Sequence, residues 1–353
     1  RARKRPQCRR SEAGSCHQFC IKFQITKLRE KSLMKKAVVL LLIVLCMLGT
    51  LSAAGKTETN LDSWPSEPVT VICPWAVGGV ADIVNRKAAT YGMEVLGQPI
   101  LATNELGAGG NVALTNYLKN QPNSYNLIFG GEGAFSIAPN VDGSDAIQFT
   151  YADYEPIINL YSSIFVLTSD AKLNIKDLDA LKAYAQGKRL KVAVNGVAGS
   201  EAFLAKALAK DLGITLELVS YNGANLALDA ASKGETAFAI SHQSQARGSV
   251  EAGILNPVVV FDEKGVNNEV FKNVKGVGEY GYTAYFRNRC FILARKGTDQ
   301  KVIDKVRNAY LAILAKPEMV DFYASMMIEV DPMDKASMDK HVSSVAAIVK
   351  ANQ

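Results

Sequence analysis

Histidine and tryptophan are scarce in this chain: three and two among 353 residues. Its six cysteines form no CxxC pair, so no structural zinc site is expected. HExxH, GxSxG and GxxxxGK[ST] are all missing, and with them the activities those motifs carry. A basic field is missing too. The overall charge of +6 comes from residues 1–54, where twelve Lys and Arg face only Glu12 and Glu30. The rest holds 28 bases against 32 acids, which argues against nucleic-acid binding. At 48% hydrophobic and 21% charged, the composition is that of a globular protein long enough for two domains.

One long apolar run exists, at 37–51. It follows Met34-Lys35-Lys36 and precedes Ser52-Ala53-Ala54-Gly55, so 34–54 reads as a secretory signal peptide. The run is short for a membrane span, which needs about 20 apolar residues. Lipid anchoring at Cys46 is not expected, because Leu45 stands where a lipoprotein signal needs a small residue. Residues 1–33 begin with Arg, carry no apolar periodicity and are expected to be a non-native upstream extension. Without the leader, Cys73 and Cys290 remain. They could form one disulfide, although two buried thiols is the plainer reading of cysteines inside apolar runs.

Beyond the leader, short apolar runs alternate with amphipathic ones, the signature of an α/β fold with mostly parallel strands. Strands are expected at 69–73, 99–103, 125–129, 190–194, 216–220, 237–240, 257–261 and 291–294, with one long extended run at 157–168. Helices are expected at 81–96, 111–120, 175–186, 201–212 and 224–233, and then three in succession at 298–314, 317–327 and 334–351. The chain thus divides into two α/β lobes: 61–163 with the returning 285–353 as lobe 1, and 164–284 as lobe 2. Together they predict a hinged clamshell with a ligand cleft between the lobes.

Four strand-to-helix junctions are glycine-rich: PWAVGGVAD at 74–82, NELGAGGN at 104–111, NGVAGSE at 195–201 and YNGAN at 221–225. Glycine lets the backbone approach a ligand closely. The first N–H groups of a helix are unpaired and sit at its positive end, so such junctions hold small anions without Lys or Arg. In open α/β sheets these ends face the crevice. A dinucleotide site is not expected, since Val112 stands at the third-glycine position of the loop at 107–112. His242 ends a strand in the polar stretch SHQSQ at 241–245 and is either a ligand contact or a loop residue. His341 reads as solvated helix surface. Trp75 is either a cleft wall or a packing residue, and Asp82 either touches ligand or caps its helix. Spacing supplies no nucleophile and orienting acid for a catalytic triad.

These residues resemble, in order and over nearly all of 61–353, the substrate-binding proteins of tripartite tricarboxylate transporters, the Bug/TctC-type family. WPSEPVT at 64–70 is similar to the family's opening YPSKPI, and PWAVGGVAD to PFAAGGxxD. LGQP at 96–99 matches, the loop at 104–111 resembles NRPGAGGN, YNG at 221–223 resembles YKG, and 294–298 resembles APAGTP. The resemblance implies a two-lobed, periplasmic-binding-protein-like clamshell. It would be a periplasmic solute-binding protein that captures a small di- or tricarboxylate or related organic acid and delivers it to membrane transporter subunits. It would be a monomer and no enzyme, with no cofactor and no metal. Carried over by position, the grip on one carboxylate falls on Trp75, Gly78, Gly79, Asp82, Ala108, Gly109 and Asn111, and the second-lobe readers are Ser200, Tyr221, Asn222 and Gly223. The departures are Glu105-Leu106 for Arg-Pro, Glu132 where small polar residues are common, Glu201 where the family often has His, Ser241-His242 for Asp-Asn, and the basic stretch FRNRC at 286–290. Glu132, Ser241 and His242 join the candidate ligand contacts, and the ligand is expected to be amino-bearing or dicarboxylic if Glu132, Glu201 or Arg289 faces the cleft. Two alternatives stay open: a ligand-binding subunit for a membrane sensor kinase, and an exported enzyme acting on a carboxylate.

Overall fold

The computed structural model describes residues 63–119, 124–141 and 147–352. The leader and the upstream extension lie outside them.

Two five-stranded sheets organise the chain. The first contains β1 (Val69–Cys73), β2 (Ile100–Asn104), β3 (Asn126–Gly130), β4 (Tyr154–Ser163) and β10 (Asn288–Arg295), in the order β2-β1-β3-β10-β4. The second contains β5 (Phe165–Asp170), β6 (Arg189–Asn195), β7 (Thr215–Tyr221), β8 (Phe238–His242) and β9 (Leu255–Val260), in the order β7-β6-β8-β5-β9. In each sheet three neighbouring strands are parallel, β10 runs antiparallel to β3 and β4, and β5 antiparallel to β8 and β9. A single residue, Ile164, carries the chain from the first sheet to the second. Residues 261–287 carry it back. The long extended run at 157–168 is thus two strands, one in each sheet. Pro257 sits in β9, an edge strand, where a missing N–H costs no interior ladder bond.

The interior strands are apolar on both faces, as strands covered by helices on both sides must be. Along β10, Cys290, Ile292 and Ala294 enter one core cluster and Phe291 and Leu293 another. Across the junction of β4 and β5, Phe165 and Leu167 enter one cluster of the second sheet, and Ile164 and Val166 the opposite one. Cys73 and Cys290 are buried free thiols. Ten helices cover the sheets among the described residues: α1 (Val80–Ala89), α2 (Gly92–Leu96), α3 (Asn111–Lys119), α4 (Leu178–Tyr184), α5 (Ser200–Leu212), α6 (Ala224–Ser232), α7 (Gln243–Glu251), α8 (Gln300–Leu314), α9 (Pro317–Ser325) and α10 (Lys335–Ala351). The last of these joins both halves. Met338 and Val342 pack with Phe291 and Leu293, while Val345 and Val349 pack with Leu208 and Phe286.

Two expectations about helices need correction. The single helix at 81–96 is two, α1 and α2, broken at Thr90 and Tyr91. Gly92 opens α2 directly against the start of β2, where a Cβ would lie 2.5 Å from the backbone nitrogen of Ile100. The helix α7 was missed, because its sequence QSQARGSVE is polar and buries only Gln243 and Ala246. The tight seat of Gly92 makes a test. Gly→Ala in a helix normally stabilises by about 1 kcal/mol. Here Gly92→Ala should instead destabilise by about 1–3 kcal/mol, the cost of overpacking, and urea unfolding of the variant measures the sign.

Candidate functional site

The first wall of the cleft is two loops stitched by polar side chains. The loop from β1 to α1 turns at Gly78, whose backbone N–H donates to Asp82 Oδ2 at 2.9 Å. Arg86, one turn along α1, pairs with Asp82 at 3.0 Å and donates to Asn104 Oδ1 at 2.7 Å. Asn104 in turn donates from Nδ2 to the carbonyl of Trp75 at 3.0 Å, and Trp75 Nε1 donates to the carbonyl of Gly109 at 3.1 Å. Burial alone would raise the Asp82 pKa, but the bonds from Arg86, Gly78 and Asn104 outweigh it and hold the carboxylate below its usual range. Within the second loop every residue from Gly107 to Gly110 has positive φ. Gly110 must be glycine on a further ground: a Cβ there would press on Pro74 at 3.2 Å.

The second wall is built from the ends of β6, β7 and β8, which lead into α5, α6 and α7 through Gly199, Gly223 and His242. The walls touch. Asn225 Nδ2 lies 3.5 Å from the carbonyl oxygen of Gly78. A Cβ on Gly223 would meet the Cβ of Ala76 at 3.4 Å, one on Gly196 would lie 3.9 Å from the Cα of Gly109, and one on Gly133 would lie 3.6 Å from Ser200 Oγ.

Two cavities open between the walls and share Trp75, Ala76, Gly109 and Asn195 as lining. The outer has a volume of about 670 Å³ and is lined by Ala108, Asn111, Tyr221 and Asn222 among others. The inner has about 90 Å³ and is lined by Gly79, Glu132, Ser200, Gly223 and His242, with Glu201, Tyr161, Cys290 and Gln245. Of the residues singled out in the sequence, Gly78, Asp82 and Ser241 line neither. Gly78 and Asp82 hold each other within their own loop. Ser241 is fully buried in β8 opposite Val166. Trp75 is both a cavity wall and a stitch between loops.

The inner cavity holds acids and no basic side chain: no lysine or arginine among the described residues lines it. Glu132 is fully buried. Its Oε1 accepts from the backbone N–H of Arg289 at 2.9 Å and from His341 Nε2 at 2.5 Å, while Oε2 has no partner. The same His341 accepts at Nδ1 from Arg289 Nη1 at 2.8 Å, and Arg289 Nε donates to Asp331 at 2.7 Å. His341 is therefore no solvated surface residue, as its helix suggested, but an 11% exposed link between α10 and the cavity. Glu201, in the first turn of α5, is only 6% exposed. Its carboxyl interacts with its own backbone N–H, and burial raises its pKa to about 7. His242 stacks on Phe165 with ring centroids 4.4 Å apart and bonds Ser163 Oγ through Nδ1 at 2.9 Å. Enclosure lowers its pKa to about 4, so it is neutral at pH 7. Burial pushes the Cys73 thiol up to about 12 and raises Cys290 well above its ordinary value, so neither is a thiolate. Among the described residues, no group of three His, Cys, Asp or Glu could hold a metal ion. In the sequence Glu201 stands out only as a departure from a pattern; its burial comes from packing, which spacing does not show.

Glu201 and His242 couple to stability with opposite signs. Glu201 keeps its proton to about pH 7 in the fold against an ordinary 4.5, so its contribution is full below pH 4.5 and is lost as pH rises to about 7. His242, held near 4 against 6.5, contributes above pH 6.5 and loses its contribution as pH falls toward 4. Glu201→Gln removes the first effect alone. Its stability relative to the parent should grow between pH 4.5 and 7.5 by on the order of 3 kcal/mol. Urea unfolding across that range checks this, and parallel curves for the two proteins would sink it.

The profile of the tripartite tricarboxylate transporter family receptor matches residues 84–351. Protein BugT of Bordetella pertussis is 24% identical over 278 residues, covering 78% of this chain and 84% of BugT. The structure of MatC from Rhodopseudomonas palustris with bound malate superposes with a TM-score of 0.72 at 22% identity, over 81% of this chain and 100% of MatC. An R. palustris protein with adipate gives 0.74 at 21% identity, over 80% of this chain and 95% of that protein.

Proposed function

The chain belongs to the tripartite tricarboxylate transporter receptor family, a family of solute-binding proteins, and from that premise we propose that it captures a small carboxylate in its inner cavity and hands it to a membrane transporter. The observation that carries the reading is the convergence of helix starts. The starts of α1, α5, α6 and α7 all contribute residues to a cavity of about 90 Å³ between two lobes. Unpaired N–H groups and the positive helix ends hold a carboxylate there without a basic side chain. The malate and adipate in the two R. palustris structures fit the same class of ligand.

The lobes of this reading are 61–163 with 285–353, and 164–284. Ligand contacts to both walls favour the closed arrangement and shift the population toward it. The protein would act outside the cytoplasm as a single chain. The apolar run at 37–51 with its small-residue sequel supports export, and no helix among the described residues is long and apolar enough to cross a membrane. Ser163, the hydroxyl paired with His242, is buried and does not line the cavity, and the Cys290 thiol keeps its proton, which favours capture over turnover.

Protein unfolded and refolded to strip carried-over ligand should melt higher with a matching carboxylate. At a hundredfold excess over Kd the gain is about 2.7 kcal/mol. Gly109→Leu should weaken that ligand at least tenfold, since Gly109 lines both cavities and faces Gly196 across the cleft. Its φ of +68° adds a strain of about 1–2 kcal/mol to the ligand-free fold. Undiminished affinity in a folded Gly109→Leu protein would remove the cavity from the mechanism.

A further inference from the structure

We propose that the ligand is an amino-carboxylate, its ammonium group paired with Glu201 and its carboxylate on the neighbouring starts of helices α6 and α7. This rests on the reading of the cavity as a carboxylate site and names the ligand class within it.

The charges lining the inner cavity give it a polarity. Helix α5 carries its own acid in the first turn, Glu201, which already occupies the positive end of that helix. Helices α6 and α7 have no acid in their first turns. Their starts, at Gly223 and His242, carry no acid of their own; the first N–H of α7, on Gln243, goes to the Ile164 carbonyl at 3.1 Å, and those that follow it have no partner within the helix. Across the cavity, the loop carrying Glu132 lies against the start of α5, where Gly133 faces Ser200. Two carboxyl groups, Glu201 and Glu132, thus share the inner cavity with no lysine or arginine.

Both are short of partners. Glu132 Oε2 is buried and accepts no hydrogen bond. Glu201 is buried with only its own backbone N–H. For Glu201 an unpaired buried charge is costly, and it keeps its proton instead. The other titratable groups lining the cavity do not repair this: His242 is neutral, and Tyr161 and Cys290 stay protonated. A dicarboxylate would bring one carboxylate to the helix starts and set the other beside Glu132 and Glu201, where it would hold Glu201 protonated. An amino-carboxylate brings an ammonium, with three donors for Glu201 and for the vacant oxygen of Glu132. The inner volume of about 90 Å³ suits a small one.

The test compares des-amino twins on the stripped, refolded full chain by calorimetry: L-alanine against propionate, L-aspartate against succinate, L-serine against 3-hydroxypropionate. At least one amino member should bind tenfold or more tightly than its twin. Its binding near pH 6.5 should release protons, read from the dependence of the enthalpy on buffer, because the ammonium drives Glu201 to ionise. Glu201→Gln should weaken the amino member at least tenfold and abolish the proton release while leaving the twin unchanged or tighter. A twin that binds as tightly as its amino partner, or binding that takes up protons, would overturn the proposal and leave the carboxylate reading standing. Failure of every carboxylate, amino-bearing or not, would overturn both. The comparison of twins on the parent protein decides the matter even if the variant does not fold.

Discussion

The N–H groups that begin a helix have no partner inside it, and the position of four such starts around one small cavity is the constraint from which the rest of the molecule follows. Each start needs a strand that ends at the cleft and a turn that lets the backbone come close. That requirement accounts for the glycines at 78, 79, 107, 109, 110, 196, 199 and 223, and for two sheets whose parallel strands all deliver their carboxyl ends to the same crevice. It also accounts for the Arg86 stitch. With no basic side chain reserved for the inner cavity, the first wall's arginine is free to hold Asp82 and Asn104 and fix the loops that do the presenting.

Most of the fold was legible because burial on both faces of the strands leaves near-continuous apolar runs, and the helices between them repeat at their own period. What was not legible has identifiable causes. The break between α1 and α2 depends on the packing of Gly92 under β2, a contact between residues eight apart that helical periodicity does not register. Helix α7 escaped notice because it buries too little apolar surface to show a stripe. The passage from β4 to β5 through Ile164 reads in sequence as one extended run, since nothing in 157–168 marks where a strand leaves one sheet for the other.

The candidate site was legible at the level of backbone and much less so for side chains. The glycine junctions could be read because their purpose is to lack a side chain. Asp82 reads as a ligand contact from its place in a motif, yet its carboxylate is taken up by Gly78 and Arg86. His341 reads as surface from its polar neighbours, yet it bridges Arg289 and Glu132. The deciding partners of Asp82 are local, four residues to either side, whereas that of His341 is brought in by tertiary structure over two hundred residues away.

The C-terminal helix α10 packs its first half with one sheet's core and its second half with the other's. Two covalent crossings, at Ile164 and at 261–287, join the halves, and a rod fastened to both resists their separation. Parting them would require peeling Val345 and Val349 from their seats or bending the helix between them and Val342. His341, beside Val342 near the middle of the rod, reaches the cavity through Glu132, so the rod that ties the halves together and the wall that faces the cargo share a side chain.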